Sequence, residues 1–129
     1  MPISFHLDPR RDSILVRSTG TLDLEEVLRL LDDLAAAAPQ IRGKNGIVDA
    51  THATDTQMNF DSIRRISDRV SQMEELFRNT RWAVVAPDDA LFGVARMYET
   101  LRSGGPFEVR VFRNASDAEA WVRRDDVAL

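Results

Sequence analysis

Apolar positions along the chain switch between two periods. Ile3, Phe5 and Leu7 alternate with Ser4, His6 and Asp8. After a turn at residues 9–12, the run 14–19 alternates again and Gly20 ends it, which predicts an N-terminal β-hairpin. The period then lengthens. Leu24, Val27, Leu28, Leu31 and Leu34 recur at helical spacing behind Asp23, and Glu26 completes a capping-box pattern; Pro39 bounds this helix. Residues 46–50 form a short strand carrying Asp49, and the polar, threonine-rich residues 51–58 predict the longest loop. Asn59 caps a long helix whose buried stripe is Phe60, Ile63, Ile66, Val70, Met73 and Phe77.

Residues 82–86 read as a buried strand stopped by Pro87. Asp88 or Asp89 caps the next helix, with Leu91, Val94, Ala95, Tyr98 and Leu101 facing inward, and Gly104-Gly105-Pro106 breaks it. Phe107, Val109, Val111 and Phe112 make the last strand. Ser116 and Glu119 predict a second capping box, opening a helix with Ala118, Trp121 and Val122 buried. The order ββαβαβαβα describes one α/β domain over residues 1–129, with an ordered core at 1–122 and a charged, frayed tail at 123–129. Strands separated by helices pair in parallel, so the sheet is five-stranded and mostly parallel, with the first strand antiparallel at an edge and four covering helices.

A net charge of −4 argues against nucleic acid as a partner, because phosphate binding needs a concentrated positive field. Lys44 is the single lysine among 17 basic residues, an arginine bias that follows from a GC-rich genome or from anion recognition. The chain has no cysteine, which removes disulfides, thiolate metal sites and thiol nucleophiles. The opening residues lack a signal-peptide core and no run approaches the ~20 apolar residues of a membrane span, so a cytoplasmic protein is expected. His6 and His52 are the two imidazoles, with no metal-ligand spacing between them, and no metal or cofactor is expected. The Gly104-Gly105 pair lacks the phosphate-loop fingerprints.

Several residues carry possible chemistry. Asp49 stands near a strand's C-terminal end, where ligands gather in open parallel sheets, and Thr51, His52 and Asp55 follow it. An Asp49–His52 pair lacks a third partner, so these residues read as a binding surface and the protein as a non-enzyme. Arg96 lies off its helix's apolar stripe, as an anion contact or as a surface group paired with Asp89 or Glu99.

The element order resembles that of STAS domains, found in sulfate-transporter tails and bacterial anti-sigma-factor antagonists. The Gly20-Thr21-Leu22-Asp23 helix entry, the Val48-Asp49 strand end, the segment from Phe92 to Glu99, the strand at 109–112 and the closing Ala118-x-x-Trp121 are similar to the small bacterial SpoIIAA-like proteins. The resemblance covers most of the chain. It implies a protein-interaction or regulatory module. Anti-sigma-factor antagonists carry an Asp-Ser-Ser-Gly-like motif with a phosphorylated serine; here Asp61-Ser62 stands without the second Ser or the Gly. Ser62 is the candidate phosphorylation site, with Arg64 and Arg65 able to contact an anion at the helix start. Two functions are expected in order: binding a protein partner, or carrying a small apolar ligand or lipid in a pocket lined by Met58, Phe60, Met73 and Phe77. A homodimer through an edge strand or exposed helix is a further expectation.

Overall fold

The computed structural model describes residues 3–123. The tail expected to fray lies outside the described residues apart from Arg123, which closes the last helix. β1 (Ile3–Asp8) and β2 (Ser13–Leu22) form the hairpin. α1 (Leu24–Ala36), the short α2 (Ala38–Ile41) and β3 (Gly46–Thr56) follow. Next come α3 (Phe60–Ser71), a 3-10 turn (Glu74–Phe77), β4 (Arg81–Val85), α4 (Asp89–Arg102), β5 (Glu108–Phe112) and α5 (Ala115–Arg123). The strands lie in sequential order β1-β2-β3-β4-β5; β1 is antiparallel to β2 and all other pairs are parallel, the pairing senses expected.

That order dictates the layering. Each crossover from β2 to β5 steps in the same direction, and right-handed crossovers then place every intervening helix on one face. α1 packs on β1, α4 packs on β5 and β3, and α3 packs chiefly against its two neighbouring helices. α5 returns to the opposite face, where Ala118, Trp121 and Val122 cover Ile47, Ala83 and Val85. Each sheet edge has a polar backbone group held by a helix side chain: Arg29 Nη2 donates to Ile3 O (3.2 Å), and Glu99 Oε2 accepts from the Val111 N–H (3.1 Å). Such contacts blunt the strand edges against pairing with another chain.

Several expectations need correction. The predicted loop at 51–58 is mostly strand, since β3 continues to Thr56 beside a β2 that runs on to Leu22. Two register shifts in this ribbon break the two-residue alternation that would have marked it. Gly20 lies within β2, its φ of +68° fitting the irregular stretch rather than ending the strand. Pro39 lies just past the end of α1 at Ala36, and it stands in the first turn of a short further helix, α2, that was not expected. The long helix stops at Ser71, and Phe77 belongs to the 3-10 turn. α5 is capped by Asn114, whose Oδ1 accepts from the Asp117 N–H (2.8 Å), and not by Ser116. On α4, Leu101 is exposed while Arg102 is 7% exposed. Arg102 Nη1 donates to Ser67 O (3.0 Å), Ser67 Oγ (3.2 Å) and Ser71 Oγ (2.9 Å); its Nη2 reaches Glu74 (2.9 Å).

The core closes at its lower end on an aromatic stack. Phe77 meets Trp82 edge-on (5.4 Å between centroids) and Phe107 likewise (5.5 Å). The Trp82 ring lies over Gly46 on the neighbouring strand, so a β-carbon at 46 would sit 2.4 Å from it. Gly46→Ala should therefore cost about 2 kcal/mol through overpacking. Urea unfolding checks this, and the penalty should shrink when Trp82→Leu is combined with it; an unchanged midpoint for Gly46→Ala alone would contradict the packing.

Candidate functional site

The residues singled out in the sequence occupy three separate elements. Asp49, Thr51, His52 and Asp55 lie on β3, in its ribbon with β2. Asp49 Oδ1 accepts from the Thr51 N–H (2.9 Å) and Asp55 Oδ1 from the Thr56 N–H (2.8 Å), so both carboxylates serve the local backbone. Thr51, His52 and Asp55 are exposed, and no hydrogen bond joins Asp49 to His52 among the described residues. Ser62 is the third residue of α3. Its N–H donates to Asn59 Oδ1 (2.9 Å) and its Oγ accepts from the Asn59 N–H (3.4 Å), a reciprocal capping box. Arg65 is exposed on the same helix. Arg96 pairs with Glu99 (2.9 Å) on α4, the surface pairing that its off-stripe position allows. Among the described residues, no hydrogen bond or ion pair links the β3 group to Ser62, Arg65 or Arg96. No group of three or more possible metal ligands occurs among the described residues.

A polar groove of about 580 Å³ lies near the β1–β2 turn, and two of the four arginines that line it are engaged by carboxylates. Arg11 contacts Asp8 (2.7 Å) and Glu119 (3.3 Å), and Arg81 contacts Glu108 (3.5 Å) and the Trp121 carbonyl (3.1 Å). Arg11 accordingly holds the Asp8 carboxyl below its ordinary pKa.

The feature that the sequence did not show lies beneath α3. A cavity of about 160 Å³ lies between the sheet and the layer of α1, α3 and α4, all three of which line it. Val16, Val48 and Val84 on three adjacent strands form its floor, and Ile63, Ile66 and Val70 of α3 form its roof. Val48 and Val84 sit on central strands under a helical layer, yet both stay partly accessible. In a closely packed core such positions would be fully buried. Met58 and Phe77 of the expected pocket do line the cavity, whereas Phe60 is 54% exposed and Met73 is buried outside the lining.

Polar groups in this wall are few. Ser18 and Tyr98 both line the cavity. Ser18 follows Ile14 and Val16 on the inward face of β2, so a polar residue at a core position was the one signal available in advance. Burial pushes the Tyr98 phenol up to about 12, so the ring is neutral at physiological pH and the wall carries no charge.

The folds of known proteins agree with this architecture. No protein-family model matches the chain, and no curated protein matches it. A crystal structure of a protein from the DUF3478 family with a SpoIIAA-like fold, from Shewanella loihica PV-4, superposes with a TM-score of 0.63. It is 16% identical, and the match covers 93% of each chain. The protein thus has a SpoIIAA-like fold, the one that the element order suggested.

Tyr98 is the one tyrosine in the chain, so tyrosinate absorbance reports it alone. In the folded state it should titrate near 12 instead of the ordinary 10. Its contribution is fully present below pH 10 and is lost as the pH rises towards 12, because the unfolded chain ionises first. The wild type should lose roughly 2 kcal/mol more stability than Tyr98→Phe across that window. Denaturant titrations at both pH values measure the difference, and parallel losses in the two proteins would contradict a buried phenol.

Proposed function

We propose that this SpoIIAA-like domain binds a small apolar molecule between α3 and the sheet, acting as a carrier or sensor without catalysing a reaction. The supporting observation is the cavity itself, with two central valines left accessible at its floor. Apolar surface left uncovered in a core forgoes packing that an occupant would supply, and the lining here is almost wholly apolar. An occupant recovers that packing, and by linkage raises the melting temperature.

A protein-interaction role is the second reading, and it draws on a different observation. Phe60, 54% exposed, begins α3 close to the exposed end of β3, which makes an apolar anchor beside a polar strand. A partner docking there would be lost on Phe60→Ser, whereas the cavity would not change.

Native mass spectrometry of the purified protein and its thermal shift with toluene test the first reading. The wild type should gain several degrees, and Ala95→Leu, which places a larger side chain in the cavity wall, should be more stable alone and gain little from toluene. Equal shifts for both proteins, or none for either, would contradict ligand binding beneath α3.

A further inference from the structure

The cavity is not a featureless hydrocarbon pocket. Ser18 is 2% exposed, lines the cavity, and its Oγ has no hydrogen-bond partner. Trp82 lines the same cavity, is 8% exposed, and its Nε1–H is also unpartnered. Buried polar side-chain atoms are satisfied in the large majority of cases, so two orphans in one largely apolar wall call for an explanation. Neither polar atom makes a hydrogen bond that holds the fold. Serine at an inward strand position wastes apolar contact that alanine or valine would make. Both can donate to an oxygen lone pair, and the serine hydroxyl can also accept.

Resting on the cavity reading above, we infer that the ligand is a small uncharged amphiphile, a hydrocarbon body bearing one hydroxyl or carbonyl oxygen that Ser18 hydrogen-bonds. Size limits the body. A cavity of about 150 Å³ is enough to hold benzene, so ligands of roughly six to nine non-hydrogen atoms suit a space of about 160 Å³. Charge limits the head group. The lining contains no Asp, Glu, Lys, Arg or His, so an ionised carboxylate or amine would enter without a counter-charge. The neutral Tyr98 phenol fits the same restriction.

Phenol and toluene, nearly equal in size, separate the two levels of the argument. Their affinities for the full chain would be measured by ligand-observed NMR, for the wild type, Ser18→Ala and Ser18→Thr. Ser18→Ala should weaken phenol about five- to tenfold relative to toluene, and Ser18→Thr, which keeps the hydroxyl, should restore much of the difference. The unliganded Ser18→Ala protein should be at least as stable as the wild type, because an unsatisfied hydroxyl has been removed, so loss of folding does not confound the comparison. If both compounds bind and their ratio is the same in wild type and Ser18→Ala, the oxygen-recognition inference is overturned while the apolar cavity reading stands. If neither compound binds the wild type, both fail.

Discussion

The helical roof is suspended by two guanidinium groups. On one side, Arg69 of α3 reaches Asp32 of α1 (2.9 Å). On the other, Arg102 of α4 is buried against α3 and the following turn, meeting the Ser67 carbonyl, two serine hydroxyls and Glu74. Its guanidinium also stacks over Phe107 (5.2 Å). These ties act laterally, from helix to helix. α3 is therefore positioned by its neighbours, and its apolar face does not have to settle onto the strands below. The Arg69 link is partly exposed and weak on its own. The Arg102 cluster is different: an arginine removed from water must keep its partners, so it specifies the position of α3 even if its net stabilisation is small.

The cavity follows from that suspension. α1 rests over β1 and α4 over β5 and β3, and the cavity opens beneath these helices and α3, above Val16, Val48 and Val84. α3 closes it from above with Ile63, Ile66 and Val70, while Val48 and Val84 stay accessible from below. At its lower end the Phe77–Trp82–Phe107 stack is tight enough to require glycine at 46. Close packing and open space thus coexist in one core. The open volume is apolar, and two residues in its wall carry unpartnered polar atoms.

Much of the fold was legible because burial leaves a period in the sequence. The element order, the antiparallel first pair and the face of α3 all followed from apolar spacing and cap residues such as Asn59 and Asp88. The failures share a physical cause. Beyond Ala50, β3 has one exposed face and two register shifts, so its residues carried no alternation. Arg102 occupies a core position with a charged side chain, and hydrophobic patterning assigns the neighbouring Leu101 instead. The cavity left less trace still. Periodicity records which side chains avoid water, and it is silent about the distance between the two surfaces they form. The candidates favoured for their chemistry, Asp49 and Ser62, proved to serve nearby backbone groups. Ser18 was visible only as a misplaced hydroxyl in an inward row.

The central claim is spatial: an apolar void lies between α3 and the middle of the sheet. Xenon binds such voids without needing a hydrogen bond and is seen directly in a crystal. A crystal pressurised with xenon should show the atom between Val48, Val84 and Ile66, with the helices unmoved. A structure in which α3 lies directly on those valines, with xenon absent from the core, would contradict the account.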